Sequence, residues 1–314
     1  MKIYSSFDEI TLIKSPILTI GTFDGVHVGH QKIIHQLNTT AKEIGGESVL
    51  FTFFPHPRMV LNPSDHGIKL IQTQQEKLKK LASFGLQHLI ILPFTLEFAA
   101  LEAATFVEKY LVEKLAIHTL IVGYDHQFGK NREGNFNFLC EQGKIYDFKV
   151  IEIPAQDIDS VNVSSSKIRK AIVQGDLSTA NHYLNEKYSL EGEVIAGKKL
   201  GRTIGFPTAN IGKIDSLKLI PEKGVYAVKT ELENGEMYEG MLNIGYRPTV
   251  SESKELSIEV HLFDFSKSIY GKRIRVYFHT KVREELHFES IEVLTEQLKT
   301  DEKFVRNYFT SDNN

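Results

Sequence analysis

The segment Gly21–His30 combines glycines with two closely spaced histidines. It follows the apolar run Ile17–Ile20 and precedes a helical pattern. Glycines at such a strand-to-helix turn let the backbone approach a ligand closely, and the helix N-terminus offers N–H groups to a phosphate. His27 and His30 lie three residues apart, so both rings face one side and can donate hydrogen bonds to a transferring phosphate. The alternative is purely structural: one histidine caps the helix and the other fills the core.

Two further segments of the amino-terminal half carry polar groups beside turn residues. Ser164–Arg169 places hydroxyls at a predicted helix N-terminus, with Arg169 one turn later. Serine and arginine suit phosphate oxygens, although a capped helix with a solvated charge has the same pattern. Asp125 could cap a turn. Phe51–Pro57 predicts an apolar strand that ends at a turn bracketed by prolines.

The carboxyl-terminal half has a second glycine-rich region. Gly192–Lys199 nearly matches a P-loop, but Lys199 supplies no hydroxyl for magnesium and the region predicts strands, so we reject that interpretation. Gly205–Asn210 then places a threonine hydroxyl beside an asparagine amide, two oxygen donors that suit Mg²⁺. The same residues would also make an ordinary turn.

A third set of polar residues lies further along this half. On a strand, Glu259 and His261 share one face, whereas their apolar neighbours point the other way. A carboxylate held there can accept a proton, although a solvent-facing charge is the structural alternative. Arg283 and Glu285 could bind a ligand or form an exposed ion pair, which would add little stability.

The elements that position these residues change character along the chain. In the first half, strand patterns alternate with helical ones, which predicts βαβ units, a parallel sheet and ligand sites at the carboxyl ends of the strands. The predicted strands are Ile17–Ile20, Val49–Phe54, His88–Leu92 and Thr119–Val122, and the predicted helices are Gln31–Glu43, Gln74–Phe84 and Ala103–Leu115.

The second half begins with two short helices, Ser165–Gln174 and Ser178–Leu184, and continues as a small antiparallel β-barrel. Its predicted strands are Tyr188–Ile195, Gly224–Leu232, Glu239–Ile244, Leu256–Phe263 and Arg273–Phe278. A terminal helix, marked by Ile291, Leu294, Leu298 and Phe304, could cover one barrel opening. We therefore predict an α/β protein with domains at residues 1–185 and 186–314.

Composition excludes several classes of protein. The chain has 314 residues, which suggests two domains, and its formal net charge of −3 argues against nucleic-acid binding. No apolar run approaches the roughly 18 residues that a membrane helix needs. A single cysteine, Cys140, excludes an internal disulfide. Asp8 and Glu9 stand where a signal peptide would be apolar, so we expect a cytoplasmic protein.

The amino-terminal motifs together resemble a known family. Gly21–His30 resembles the H-x-G-H signature of nucleotidylyltransferases, in the form found in prokaryotic FAD synthetases. Phe51–Pro57, Gly123–Gly129 and Val163–Arg169 are similar to that family's F-T-F-x-P-H-P, G-x-D-x-x-F-G and S-S-T-x-I-R segments. The resemblance implies an ATP site for adenylyl transfer formed by Gly21, Phe23, Asp24, Gly25, His27, His30, Asp125, Ser164, Ser165, Ser166 and Arg169. Ser166 stands where threonine is usual. It implies a flavin site formed by Phe53, Pro55, His56, Pro57 and Phe128.

The carboxyl-terminal motifs resemble riboflavin kinases. Gly201–Asn210 is similar to the family's G-R-x-x-G-F-P-T-A-N motif, and Asn243–Thr249, Glu259–His261 and Arg283–Phe288 continue the resemblance. It implies that Thr208 and Asn210 bind Mg²⁺ and that Glu259 accepts the proton of the riboflavin 5′-hydroxyl. The implied ATP site comprises Gly197, Gly201, Arg202, Gly205, Pro207, Thr208 and Asn210, and the implied flavin site comprises Arg283, Glu285 and Phe288.

Both sets of motifs occur in one chain, which resembles the bifunctional riboflavin kinase/FMN adenylyltransferases. The resemblance implies that ATP phosphorylates riboflavin to FMN and then adenylylates FMN to FAD, with His27, His30 and Glu259 as catalytic residues. The expected partners are the small molecules riboflavin, FMN and ATP, with neither a nucleic acid nor a membrane. Two alternatives stay open: an FMN adenylyltransferase with one activity, and a flavin-binding sensor with a silent kinase barrel.

Overall fold

The computed structural model describes residues 1–62, 67–124, 126–154, 163–197, 200–246 and 256–312. The chain forms two compact units, Met1–Ser165 and Ser166–Asn314. The predicted division into an α/β half and a β-rich half is therefore confirmed at the level of fold. The proposed boundary between residues 185 and 186 stays a prediction.

The amino-terminal unit is built on a six-stranded parallel sheet with the order β1-β4-β3-β2-β5-β6. Its strands are β1 (Lys2–Tyr4), β2 (Pro16–Ile20), β3 (Glu47–Phe53), β4 (His88–Leu92), β5 (Thr119–Gly123) and β6 (Lys149–Ile153). Its helices are α1 (Val28–Ile44), α2 (Pro57–Leu61), α3 (Gln74–Ser83), α4 (Leu96–Ala99), α5 (Ala103–Phe106, continued by a π-helix over Val107–Lys114) and α6 (Phe136–Tyr146).

Both faces of this sheet are buried, as expected for parallel strands covered by helices. Successive residues of β2 alternate between two hydrophobic clusters, with Leu18 and Ile20 in one and Ile17 in the other. The strand order reverses at β2, which pairs with β3 on one side and β5 on the other. Such a switch point leaves a crevice at the carboxyl ends of the strands, where ligands of open α/β sheets bind.

The carboxyl-terminal unit is a closed antiparallel barrel with the order β10-β11-β8-β7-β12-β9. Two helices precede it, α7 (Ser165–Val173) and α8 (Leu177–Leu184). The remaining elements are β7 (Ser189–Ile195), α9 (Leu200–Thr203), β8 (Ala209–Gly212), β9 (Gly224–Leu232), β10 (Met237–Tyr246), β11 (Leu256–Leu262), β12 (Arg273–Arg283) and α10 (Ile291–Asp312). Closure pairs every barrel strand on both sides, so no edge is left open.

The terminal helix α10 packs on the barrel through a different set of residues from the one predicted. Val305 and Phe309 are buried in the barrel's hydrophobic cluster, and Leu298 packs against them. The prediction was wrong for Ile291 and Phe304, which are 53% and 48% exposed. Phe304 stands one residue away from the buried stripe, and Ile291 lies in the first helical turn.

Candidate active sites

The loop between β2 and α1 holds a strained shape at the sheet's switch point. Gly25 has a φ of +89°, which glycine adopts easily. Phe23 and Val26 also have positive φ values, 49° and 37°, which are unfavourable for side chains of these types. Such strain costs about 1–3 kcal/mol per residue and persists only where the surroundings enforce it. Here both side chains are buried in the core, which fixes the loop.

Hydrogen bonds of buried polar groups also hold this loop in place. The Asp24 carboxylate accepts hydrogen bonds from the backbone N–H groups of Ile71 and Gln72, at 3.1 and 3.3 Å. The Lys77 ammonium, on α3, donates to the carbonyl oxygen of Thr22 at 2.6 Å. The backbone between Thr22 and Asp24 is therefore anchored at both ends.

The two histidines form one stacked pair at the start of α1. Their ring centroids are 3.7 Å apart, and Phe23 stacks on the other face of His30 at 4.3 Å. His27 caps the helix, since its Nδ1 accepts the backbone N–H of His30 at 3.4 Å. Nδ1 of His30 is buried and has no hydrogen-bond partner among the described residues. The described residues therefore leave the hydrogen-bonding capacity of that nitrogen unused.

Burial keeps both imidazoles neutral. Desolvation, with a smaller contribution from Lys80, lowers the pKa of His27 from 6.5 to about 4. Desolvation also lowers the pKa of His30 well below its ordinary value, helped by the charges of His27, Lys77 and Lys80. Because a neutral His27 uses Nδ1 as an acceptor, its proton lies on Nε2. His27 can thus donate a hydrogen bond to a phosphate without carrying a charge.

The loop brings most of the predicted adenylyl-transfer residues together, from Gly21 to His30. Ser165 joins them, because its hydroxyl donates to the backbone carbonyl of Asp24 at 2.8 Å. Asp125 lies outside the described residues. Ser164 precedes α7, whereas Ser166 and Arg169 lie on it in the second unit, and a role of these three at ATP stays a prediction.

The residues predicted to bind flavin in this unit border an aromatic cluster. Phe53 ends β3 and packs against Phe94 and Phe98, with centroids 5.3 and 5.0 Å away. Phe128 packs on Phe106 at 5.5 Å, and Phe98 also contacts Phe106. The cluster thus joins the predicted residues at the carboxyl ends of β3 and β5 with apolar rings on which a tricyclic ligand can stack.

The turn after β3 carries the other predicted residues. A cis peptide bond joins Phe54 to Pro55, and His56 caps α2 by accepting the N–H of Arg58 at 3.2 Å. Pro57 opens that helix, where its missing N–H has no consequence. These contacts give the turn the structural role considered from the sequence, and flavin binding by Pro55, His56 and Pro57 stays a prediction.

In the barrel, polar side chains form a row across three neighbouring strands. Glu259 on β11 lies directly opposite Asn210 on β8 and Asn243 on β10. Residues paired in this way share one face of the sheet. Both carboxylate oxygens of Glu259 accept hydrogen bonds from hydroxyl groups, one from Thr208 and one from Ser257, each at 2.9 Å. Neutral groups therefore hold the carboxylate in place.

Oxygen donors surround this carboxylate, which suits a hard cation. The hydroxyl of Thr208 donates a hydrogen bond to Glu259, which leaves the lone pairs of the Thr208 oxygen available. The side-chain amide of buried Asn210 fills the space that a Cβ at Gly197 would need. Any larger residue at position 197 would displace that amide, so the residues present fit the Mg²⁺ site that the sequence implies.

The predicted kinase ATP residues lie around this row. The ring of His261 donates from Nδ1 to the carbonyl of Pro207 at 2.7 Å and thereby fixes the turn that carries Thr208. Gly201 lies against the backbone carbonyl of Phe206 with no room for a Cβ. Two further predicted residues, Arg202 and Gly205, are exposed on the same connection.

The residues predicted to bind flavin at the barrel have distinct surroundings. The Glu285 carboxylate lies against Gly245, where a Cβ would overlap it. Arg283 forms three hydrogen bonds of 2.8–3.1 Å with the carboxylate of Asp301 on α10 and also stacks over Phe288 at 5.6 Å. The ion pair of Arg283 is thus with a buried residue of the terminal helix and not with Glu285.

Lys77 and Ser257 are among the residues at these sites that sequence reasoning missed. Lys77 lies in an amphipathic helix rich in lysine, and a lysine there ordinarily faces solvent. The signal that could have identified it is its position between Gln74 and Leu81, on the buried face of α3. Ser257 lies two residues before Glu259 on the same strand face, and the period of two could have identified it.

Comparison with known proteins relates the two parts of the chain to two different families. The family model described as FAD synthetase matches residues 11–167, and the one described as riboflavin kinase matches residues 184–309. A curated bifunctional riboflavin kinase/FMN adenylyltransferase from Listeria monocytogenes is 39% identical over 304 residues, which cover 96% of this chain and 95% of that protein. Its namesake from Escherichia coli K12 is 36% identical over 293 residues, 93% of this chain and 92% of that one.

A solved structure shows the same fold over nearly the whole chain. It is a crystal structure described as a macrolide-efflux protein from Streptococcus pneumoniae, with a TM-score of 0.87, 30% identity and coverage of 98% of each chain. Within the part of our chain that the structure describes, we find no helix with the length and hydrophobicity to cross a bilayer. The cytoplasmic location expected from the sequence stays a prediction.

The two family models match consecutive parts of the chain, and the curated relatives carry both parts in one polypeptide of similar length. Strands β2 to β6 of the parallel sheet and the segment Gly21–His30, the histidine loop, fall within the FAD synthetase match, and the barrel with its carboxylate row falls within the riboflavin kinase match. The chain therefore belongs to the family of bifunctional riboflavin kinase/FMN adenylyltransferases.

Proposed function

We propose that the chain makes FAD in two steps, each in its own unit. The barrel transfers the γ-phosphoryl group of ATP to riboflavin, and the amino-terminal unit then joins FMN to the adenylyl group of a second ATP. The observation that carries this proposal is the different composition of the two sites. One offers neutral histidines and a glycine loop, and the other offers a carboxylate among oxygen donors.

In the kinase step, Glu259 accepts the proton of the riboflavin 5′-hydroxyl as the hydroxyl oxygen bonds to the γ-phosphorus of ATP. The bond from that phosphorus to the β,γ-bridging oxygen breaks, and ADP leaves. Thr208 and Ser257 orient the carboxylate through the hydrogen bonds described above. Thr208 and Asn210 would hold Mg²⁺, which supplies neutralisation of phosphate charge when bound.

In the adenylylation step, a phosphate oxygen of FMN bonds to the α-phosphorus of ATP, and pyrophosphate leaves. FMN phosphate is already ionised, so this reaction needs no strong base. Its requirement is stabilisation of negative charge on the α-phosphate. Nε2–H of His27, the side chain of His30 and the N-terminus of α1 supply that stabilisation. Ser164 and Ser165 are proposed to contact the other phosphate oxygens.

Flavin binds in each unit beside the reacting phosphate. In the amino-terminal unit, the isoalloxazine ring lies against the aromatic cluster that includes Phe53 and Phe128. At the barrel, Glu285 and Phe288 contact the ring, and Arg283 positions this segment through its ion pair with Asp301. The one-activity and sensor alternatives find less support, because base and metal-binding residues accompany the histidine loop in the same chain.

Product analysis of the purified chain tests this proposal. One assay supplies riboflavin, ATP and Mg²⁺, a second supplies FMN, ATP and Mg²⁺, and chromatography separates riboflavin, FMN and FAD. We expect FMN and then FAD in the first assay and FAD in the second. FAD from FMN without any FMN from riboflavin would establish the one-activity alternative. Ligand binding without either product, with both oxidised and reduced flavin, would establish the sensor.

A further inference from the structure

Lys77 is a charged residue that is buried in contact with the histidine loop. It is 6% exposed, and its Nζ donates hydrogen bonds to the carbonyl oxygen of Thr22 and to the hydroxyl of Thr52, at 2.6 and 2.8 Å. Neither oxygen carries a formal charge, so the two bonds orient the ammonium without cancelling its charge. Burying an ammonium costs several kcal/mol, and an apolar side chain would fill the same space without that cost.

The two hydrogen bonds of Lys77 join three elements of the site. Thr52 lies in β3, Thr22 lies in the loop after β2, and Lys77 itself lies in α3. The carbonyl of Thr22 belongs to the same peptide group as the N–H of Phe23. A cation bound to that carbonyl polarises the peptide and makes the N–H a stronger donor. The charge of Lys77 is thus transmitted to the backbone of the loop.

The neutral histidines give this charge a specific importance. Because His27 and His30 are uncharged near neutral pH, the histidine pair supplies dipoles and hydrogen bonds but no net charge. Desolvation is the main cause of the low pKa of His30, and the charge of Lys77 lowers this pKa further, so the ammonium lies close enough to affect the imidazole. A phosphate bound by the histidines would experience the field of the same ammonium, reduced by the nearby carboxylate of Asp24.

We propose that Lys77 is a positioning residue for adenylylation, whose buried charge holds the loop in its strained conformation and favours the negative charge that develops on the α-phosphate. Lys77 acts through the loop and does not need to touch the nucleotide. The inference rests on the proposed function of the histidine loop, and it assigns Lys77 no role in the kinase reaction.

The charge of Lys77 depends on pH in a range that can be measured. Burial lowers its pKa from 10.5 to about 8, and the negative charge of Asp24 opposes that shift. The other titratable groups around it are His27 and His30, toward α1, and Lys80 on its own helix. Both histidines are already neutral well below pH 7. The ammonium is charged below about pH 8 and loses its charge above it, so the contribution of Lys77 to catalysis is lost as the pH rises.

The experiment measures FAD formation from FMN, ATP and Mg²⁺ by the full chain across the alkaline range. We expect the wild-type kcat/KM, whose pH dependence reports the pKa values of the free protein, to fall as the pH rises through about 8. Lys77→Met should lower kcat about 10- to 100-fold at neutral pH, less than the ~10²–10³ for loss of a direct oxyanion donor. Lys77→Arg should retain more activity than Lys77→Met and move the alkaline decline to higher pH, because guanidinium stays charged.

Stability separates this role from a structural one. Thr52 also donates its hydroxyl to the Thr22 carbonyl, at 3.3 Å, so these two groups keep a partner when Lys77 is replaced. Lys77→Met removes a buried charge and should leave the melting temperature unchanged or higher. FMN formation from riboflavin in the same samples should be unchanged.

His30→Ala is measured in the same assays, so that an error in the role of Lys77 can be distinguished from an error in the proposed histidine site. If His30→Ala lowers FAD formation and Lys77→Met does not, the role of Lys77 is wrong and the histidine site stands. If neither variant affects FAD formation, the proposed site itself is wrong. A wild-type kcat/KM that stays level well above pH 8 would overturn the role of Lys77, even if Lys77→Met failed to fold.

Discussion

The candidate sites of the two units contain different kinds of side chain. In the amino-terminal unit, two neutral histidines and a buried ammonium surround a strained loop on a parallel sheet. In the barrel, an anionic carboxylate is held by neutral hydroxyls in a row of polar residues. In the proposed reactions, the first site stabilises negative charge and the second accepts a proton.

The difference follows from the nucleophile of each proposed reaction. The 5′-hydroxyl of riboflavin must lose a proton as it attacks, so a carboxylate is useful. The phosphate of FMN attacks without losing a proton, so a carboxylate would only repel it. The kinase reaction therefore requires a base, whereas the adenylylation reaction does not. Variants that remove the carboxylate from one site or a histidine from the other test this difference.

The largest effect is expected at Glu259. Glu259→Gln retains the size of the side chain but removes the base, so FMN formation should fall by about 10²–10⁴. FAD formation from added FMN should stay near the wild-type rate. Separate assays of the two products measure both effects. Equal loss of both activities in a folded variant would contradict the assignment of one site to each unit.

The converse effect is expected at His30. His30→Ala removes a hydrogen-bonding ring beside the transferring phosphate, so adenylylation should fall by about 10²–10³ while FMN formation persists. A chain given riboflavin and ATP should then accumulate FMN. Phe23 stacks on His30, so His30→Phe serves as a packing control that restores an aromatic ring without its nitrogens. Recovery of FAD synthesis in that control would show that the ring acts through packing alone.

A third difference concerns stability in acid. The pKa of His27 is lower in the folded protein, about 4 compared with 6.5, so the unfolded state binds the proton more readily. Stability from this residue is intact above pH 6.5 and is lost as the pH falls toward 4, by about 3 kcal/mol. Hydrogen exchange measured separately on peptides from each unit should show this loss in β2 and α1.

The matched control for the acid experiment is His27→Asn. Asparagine can still cap α1, but it does not titrate. The acid-dependent loss of protection in β2 and α1 should therefore become smaller in this variant. Unchanged pH dependence would mean that another group, such as His30, accounts for the instability.

The smallest effect is expected at Ser257. Its hydroxyl donates to Glu259 at 2.9 Å, and a hydrogen bond to a charged group contributes about 1.5–3 kcal/mol. Because Thr208 still orients the carboxylate, Ser257→Ala should reduce FMN formation only about tenfold. Ser257→Thr retains the hydroxyl and should recover most of the rate. Failure of that recovery would indicate that Ser257 contributes through packing.

The sequence predicted the parallel sheet, the barrel and the loop that brings His27 and His30 together, because each depends on local periodicity or adjacent residues. It did not reveal β8, whose four residues overlap the turn-like Pro207–Asn210 segment. It also placed Phe304 against the barrel, although that residue is half exposed. Short strands and the orientation of a terminal helix depend on partners distant in sequence, which periodicity does not report.

The site residues divide in the same way. Glu259 could be identified because a carboxylate interrupts an apolar strand. Lys77 could not, because its burial depends on Thr22 and Thr52, which lie 55 and 25 residues away along the chain. Asp301 is similar: only the folded barrel shows that this residue of the terminal helix binds Arg283. Long-range ion pairs and buried charges are therefore the part of the site that requires a structure.

The alignment of Asn210, Glu259 and Asn243 on adjacent strands has a consequence for how this barrel can change. Their common orientation depends on a backbone ladder in which each residue has a fixed opposite number. Inserting or deleting one residue in β11 would turn its carboxylate toward the core and bring Val260 or Ile258 to the polar side. The barrel can therefore acquire new lengths in its connections, but the strands that carry chemistry can vary only by substitution.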